Sequence, residues 1–262
     1  MTFATRLAAL ADHPLCARLF VELRVEGDPT LTREQFAALM LPRVCVIEQG
    51  DEPIGYAGWH SWGDTGNISQ VVVDPRARNR GAGRALVEDV QERLIQLGCK
   101  HCHLHVKKDN AAAIRLYERC GFTIEREGWS LEFAWSQIAR LPAANAIACE
   151  MSAAEDLEFA TRLGVGPERL AFSRSRTGVS LVGLRELGEP VGFVSFHSSW
   201  GTGILRLVRP ELVRPLLEKL RQHATGDRIQ ISVEEDRPLA DLLLAAGAGL
   251  NHATYRMGKS LV

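Results

Sequence analysis

Between Val73 and Leu86 the chain reads VDPRARNRGAGRAL, a run whose residue types suit the binding of an anion. Gly81 and Gly83 lack a Cβ, so the backbone can take conformations closed to other residues and bring its amides close to a ligand. The apolar periodicity that follows (Ala85, Leu86, Val90, Leu94, Leu97) predicts a helix over 83–97, stopped at Gly98. The first N–H groups of such a helix have no intrahelical partners and sit at the positive end of its dipole. Loop and helix start together make a cradle suited to a pyrophosphate. Arg76, Arg78, Arg80 and Arg84 add positive charge within nine residues. A dinucleotide fingerprint would need GxGxxG where this loop offers G-A-G-R-A-L, and a P-loop would need Gly-Lys-Ser/Thr.

A second cluster, Cys99-Lys-His-Cys102-His-Leu-His105, imitates metal-ligand spacing. In a strand, however, Cys102, Leu104 and Val106 share one face, and His101, His103 and His105 the other. A tetrahedral site draws ligands from at least two elements, and no second Cys/His cluster accompanies this one. It reads as a strand, and no metal is expected. The six cysteines sit mostly in apolar surroundings and read as reduced, buried small hydrophobes.

The elements that position the cradle follow from pattern. A helical segment is expected from Thr5 to Arg24, broken near Asp12-His-Pro14. Thr32-x-x-Gln35 is a capping box that opens a helix over Glu34–Met40. Arg43–Glu48 and Pro53–His60 make a hairpin, and Asn67–Val73 a third strand ending at Asp74-Pro75. His101–Val106 is a strand, and Asn110 caps a helix through Arg119. Two further strands are expected at Phe122–Glu127 and Ser130–Phe133. Antiparallel strands followed by alternating α and β elements predict a mixed-sheet α/β domain.

The chain of 262 residues has room for two such domains. The window Glu52–Gly66, EPIGYAGWHSWGDTG, repeats at Glu189–Gly203 as EPVGFVSFHSSWGTG, with seven of fifteen positions identical. Unrelated windows would share about one. HVKKDNAAAIRLY (105–117) aligns with SVEEDRPLADLLL (232–244) at an offset of 127, which sets Arg237 against Asn110 and Leu244 against Tyr117. Two copies of one fold are expected, over 1–140 and 146–262, joined near residues 136–148. After Arg209-Pro210 the second copy runs directly into ELVRPLLEKL with no glycine loop, so only the first copy keeps a cradle.

Arg78-Asn-Arg-Gly81-Ala-Gly83, preceded by Val73-Asp74-Pro75, resembles the Q/R-x-x-G-x-G/A signature of the GNAT N-acetyltransferases. Asn110-x-x-Ala113-x-x-Leu116-Tyr117-Glu118-x-x-Gly121-Phe122 resembles that family's second signature at the right spacing. The resemblance covers residues 1–135 directly and implies two tandem GNAT-like domains, the second degenerate. It implies acetyl-coenzyme A as co-substrate, with backbone groups of Val71, Val72 and Val73 pairing with the pantetheine arm. Amides of Arg80, Gly81, Ala82, Gly83 and Arg84 would then hold the pyrophosphate, with Arg78 and Asn79 also on the cofactor, Asn110 bonded to the arm and Tyr117 near the thioester sulfur.

The chemistry agrees with this. An amine attacking a thioester develops negative charge on the carbonyl oxygen, for which N–H donors are the remedy, and the Val72 amide is the expected donor. A tyrosine, with a reference pKa of about 10, can protonate the leaving thiolate. Relatives often carry a glutamate on the fourth strand as base, but Asn67-Ile-Ser-Gln-Val-Val-Val73 has no carboxylate. His60 and Asp64 are the nearest titratable candidates, and a water chain or a neutral amine would also serve.

A net charge of −1 removes the electrostatic footprint of a nucleic-acid binder. The longest nearly apolar run, 239–250, falls short of a membrane span, and the N-terminus is no secretory signal, so a cytoplasmic protein is expected. A small-molecule amine is the leading acceptor. A protein N-terminus or lysine, and a non-catalytic coenzyme A binder or sensor, remain open, as does the oligomeric state.

Overall fold

In the computed structural model, residues 3–23, 31–198 and 201–262 are described. The expected helix end at Arg24, and Ser199-Trp200 of the repeat window, lie outside them. The chain forms two compact units: 1–125 with 256–262, and 126–255. This differs from a division at residue 140. The boundary at 125/126 falls within a strand over Thr123–Ala134, and the last residues of the chain return to the first unit.

The first unit opens on a strand, β1 (Phe3–Leu7), rather than the expected helix, because FATRL pairs antiparallel with β2 (Val44–Gln49) from Phe3↔Gln49 to Leu7↔Cys45. The helix that does form, α1 (His13–Phe20), carries Pro14 as its second residue, where the missing N–H costs nothing in a first turn. Thr32 and Gln35 form the expected reciprocal cap on α2 (Arg33–Gln35), which continues as a π-turn over Phe36–Met40. β3 (Glu52–Trp62) pairs antiparallel with β2 and with β4 (Thr65–Val73). α3 (Ala82–Gln96) buries Leu86, Val90 and Leu94 of the expected face together with Val87, while Ala85 is half-buried and Leu97, past the helix end, is exposed. β5 (His101–Lys107) runs parallel to β4, and Asn110 caps α4 (Ala111–Arg119) through an Oδ1 that accepts from Ala113 N at 3.1 Å.

β6 (Thr123–Ala134) is one strand where two were expected. Gly128 in its middle makes no turn. A Cβ there would stand 2.9 Å from Thr254 Oγ1, so the glycine serves close approach rather than reversal. β12 (Gly249–Ser260) gives its last residues to the first unit, beside β5: Leu261 N donates to Lys100 O at 2.8 Å, and Thr123 Oγ1 reaches Gly258 O. One apolar cluster, with Cys16, Leu19, Phe36, Val44, Val46, Tyr56 and Val72, fills the sheet face under α1.

The second unit carries a four-stranded antiparallel sheet of β7 (Ile147–Glu150), β8 (Val179–Glu186), β9 (Glu189–His197) and β10 (Gly201–Leu207), in the order β10-β9-β8-β7. α5 (Asp156–Arg162) and α6 (Pro167–Ser175) precede β8. A 3-10 turn at Pro210–Leu212 leads into α7 (Val213–Leu220), then β11 (Arg228–Glu234) and α8 (Arg237–Ala245). β11 pairs with the 128–134 part of β6. The order hairpin, strand, helix, strand, helix, strand thus occurs in both units.

The repeat is one residue out of the expected alignment. α8 is capped by Asp236, whose carboxylate accepts from Leu239 N, and not by Arg237. Cap, helix length and the positive-φ glycines after each helix, Gly121 and Gly247, all match at an offset of 126. The counterpart of Tyr117 is therefore Leu243, fully buried, rather than Leu244.

Candidate active site

β4 and β5 are paired only from Thr65↔His101 to Ile68↔Leu104. Beyond that point β4 runs on from Ser69 to Val73 with no register to β5, so the two strands part and leave an open edge. The parting coincides with a bulge: against β3, Ile68 pairs with Trp59 and Gln70 with Gly58, and Ser69 is the extra residue. A bulge locally bends and twists its strand, which is what the expected open edge requires.

The register decides which groups face that edge. Asp74 N donates to Ile54 O of β3 at 2.8 Å, and backbone groups alternate sides along a strand. Val72 therefore turns its N–H and C=O toward β3, and a Cβ at Gly55 would stand 2.6 Å from Val72 O. The expected donor at Val72 is thus corrected: the amides facing the open edge are those of Val71 and Val73. The carbonyl of Val73 already accepts from Arg78 Nε at 3.0 Å.

Asp74, only 3% exposed, fixes the turn that follows. Its carboxylate accepts from the Arg76 amide and guanidinium and from Arg18, and these partners hold its carboxyl well below the usual carboxylate range. Past the turn, Asn79 (φ 62°) and Gly81 (φ 95°) adopt left-handed backbone. A Cβ on Gly81 would find space, with Phe3 Cε2 nearest at 3.8 Å, but no β-branched residue takes that φ without strain. Gly81 is the N-cap of α3 and makes no side-chain cap, and the first intrahelical bond is Ala85 N to Gly81 O. The amides of Ala82, Gly83 and Arg84 are therefore presented outward, as the cradle demands. Gly83 has a different reason to be glycine. Its Cβ would stand 3.2 Å from Leu116 Cδ2 of α4, so it lets two helices approach.

The four arginines are not equivalent. Arg76 is bound to Asp74, Arg78 to Glu22 at 2.8 Å and Arg84 to Glu88 at 2.7 Å. Among the described residues Arg80 alone of the four has no carboxylate partner, and it is exposed. Half-exposed pairs such as Arg78–Glu22 are worth about 0–1 kcal/mol, so an incoming anion can recruit them.

Tyr117 lies on α4, 8% exposed, its ring edge-on to Phe122 at 6.1 Å between centroids. Burial pushes its hydroxyl up to about 12. Asn110, exposed, has committed its Oδ1 to the helix cap, so only its amide NH₂ is left for a ligand. Of the two expected bases, Asp64 lies farther from the bulge. It lies in the turn before β4, six residues from Gln70, and at about 3.3 Å per residue that is about 20 Å away. His60 pairs with Asn67, about 10 Å along the strand from Gln70 by the same rise.

His103 is buried and edge-on to Trp62 at 5.4 Å, while His101 and His105 are exposed. No group of three or more His, Cys, Asp or Glu converges among the described residues. Burial pushes the Cys102 thiol up to about 12. No helix among the described residues is long and apolar enough to cross a membrane.

Residues 13–122 match the model of the acetyltransferase (GNAT) family. The chain is 35% identical over 97 residues to an acetyltransferase of Pectobacterium atrosepticum, covering 37% of this chain and 69% of that protein. It is 34% identical over 123 residues to a mycothiol acetyltransferase of Beutenbergia cavernae, 46% of this chain and 39% of the relative. A mycothiol acetyltransferase of Geodermatophilus obscurus matches over 19% of its own length at 43% identity, so the chain spans well under half of these two relatives. In fold it is similar to a GCN5-related N-acetyltransferase from Sphaerobacter thermophilus (TM-score 0.67, 19% identity, 99% and 96% of the two chains). It is also similar to a tandem GNAT protein from the clavulanic acid biosynthesis pathway (TM-score 0.65, 16% identity, 100% and 99%).

Proposed function

This chain belongs to the GNAT acetyltransferase family, and on that premise we propose that it moves an acetyl group from acetyl-coenzyme A to a primary amine of a small molecule, at one site in the first unit. The observation that carries the reading is the unpaired edge of β4, which leads directly to the uncommitted amides at the start of α3. The relatives named mycothiol acetyltransferase support a small acceptor over a protein.

Bound acetyl-coenzyme A supplies an activated acyl thioester. Amides of Ala82, Gly83 and Arg84 hold the pyrophosphate, with Arg80 and the recruitable Arg78 and Arg84 around it. The outward N–H groups of Val71 and Val73 pair with the pantetheine arm, and one of them stabilises the oxyanion as the amine attacks. Tyr117 keeps its proton at neutral pH because burial raises its hydroxyl, and it donates that proton to the departing thiolate. β4 supplies no carboxylate, so the amine arrives neutral or sheds its proton through a relay that can include His60.

The second unit we read as a degenerate copy with no coenzyme A site. Titration calorimetry on the full chain is expected to give one coenzyme A per chain, and two equivalent sites would overturn the assignment. Thiol release from acetyl-coenzyme A with small primary amines, and not with peptides, is the expected activity. Binding without acetylation of any amine would favour the sensor reading instead.

A further inference from the structure

We propose that Gln70 receives an N–H of the acceptor amine and so sets which amines the site takes; this rests on the acetyl-transfer reading above. Gln70 is the first residue of β4 past the bulge, where β4 has left β5. It stands opposite Gly58, which sets no side chain against it.

Its face is fixed by register. Gln70 lies two residues before Val72, and residues i and i+2 of a strand share a face. Val72 packs in the apolar cluster with Cys16 and Leu19 of α1. Val73 faces the other way, toward the start of α3, where Gly83 approaches its side chain. The cradle therefore delivers the thioester from the α3 side, and the face left for the amine is the one Gln70 occupies.

The carbonyl oxygen of Gln70 is buried and has no hydrogen-bond partner, while the residue as a whole is half-buried. A buried acceptor left unpaired is costly and calls for an explanation. The terminal torsion of a glutamine is broad, so the amide can turn to meet a ligand without moving the backbone. Tyr56, on the same face, also buries a hydroxyl without a partner, but it is sealed inside the apolar cluster and offers a ligand no approach.

The side-chain type adds chemistry. An attacking amine must carry a free lone pair, and a carboxylate at this point would hold its ammonium form. An uncharged amide oxygen accepts one N–H and leaves the lone pair available. The ligand class is a neutral primary amine.

The test uses the full chain, labelled with ¹⁵N and saturated with coenzyme A, and reads binding without turnover. Ethanolamine, glycinamide and glucosamine are titrated while the Gln70 side-chain amide is observed, assigned by its loss in Gln70→Leu. At least one amine is expected to move that resonance saturably. Its affinity should fall about tenfold in Gln70→Leu, the scale of one hydrogen bond, and persist in Gln70→Glu. Coenzyme A affinity should be unchanged, and Tm should stay level or rise in Gln70→Leu, because an unpaired buried oxygen is removed. Equal amine affinity in Gln70→Leu, no shift with any of the three amines, or a lowered Tm would each overturn the proposal. If amines bind at Gln70 and acetyl-coenzyme A still yields no thiol, the enzyme reading fails while this one stands.

Discussion

After β4 and after β10 the chain meets the same task, leaving a strand and starting a helix, and solves it differently. Both strands give way to a 3-10 turn with proline first, Pro75–Ala77 and Pro210–Leu212. In the first unit residues 78–81 follow before α3 starts at Ala82, whereas α7 starts at once at Val213. The missing stretch matches Arg78-Asn-Arg-Gly81. Without it no left-handed cap forms, and Val213 N already donates to Pro210 O. Pro215 removes a further N–H from the first turn of α7. The residue at the head of the turn changes as well: Asp74 is buried and accepts four hydrogen bonds, while Arg209 is extended (φ −156°) and pairs with Glu186 near the surface. The same order of elements is thus built with and without the loop, and one short stretch makes the difference.

The strongest way to break this contrast is at the seventh residue of α4. Tyr117→Phe keeps the ring against Phe122 and removes the proton, so kcat should fall by ~10²–10⁴-fold with coenzyme A affinity little changed. Near-native kcat would show that the tyrosine only packs there.

At the matching place in the second unit, Leu243→Ala should cost ~2–5 kcal/mol in denaturant unfolding, because a fully buried leucine leaves a cavity. The kcat of the folded fraction should be untouched. A loss of kcat without a loss of stability would mean that the second unit takes part in the chemistry.

Gly81→Val forces a β-branched residue to φ 95° at the helix cap, a strain of order 1–3 kcal/mol. Coenzyme A should then bind about tenfold or more weakly. Arg209→Gly at the head of the second turn should leave that affinity as it was, and calorimetry on both variants decides the point.

The smallest effect concerns Asp74. Its carboxyl titrates lower in the folded chain than unfolded, so its contribution is present above the unfolded value of about 3.9 and lost as the pH falls below that. Asp74→Asn should therefore be less stable than the parent at pH 7, with the gap narrowing between pH 5 and pH 2. A gap that widens on acidification would contradict the assigned ion pairs.

Much of this contrast was legible in the residue order because its causes are local. The glycine loop, the Thr32 and Asn110 caps and the apolar period of α3 are read from neighbours a few residues apart. What depended on distant pairing was not legible. Phe3–Leu7 has a helix-compatible composition, and only β2 makes it a strand. Whether Val72 or its neighbours face the open edge is set by the β3 register, which a one-residue slip would invert. The orphaned oxygen of Gln70 and the packing role of Gly83 appear only once Gly58 and Leu116 are in place. The cap at Asp236 could have been found, since aspartate is a strong N-cap and arginine is not.

The strand contributed by residues 256–260 has a consequence for how the molecule comes into being. The first unit holds the cradle and Tyr117, yet its sheet takes in a segment that leaves the ribosome only after the whole second unit has been synthesised. Until then β5 lacks the neighbour it has in the finished sheet, and an unpaired edge in a nascent chain invites mispairing. The order of synthesis and the order of completion are therefore reversed: the part made first is the part finished last.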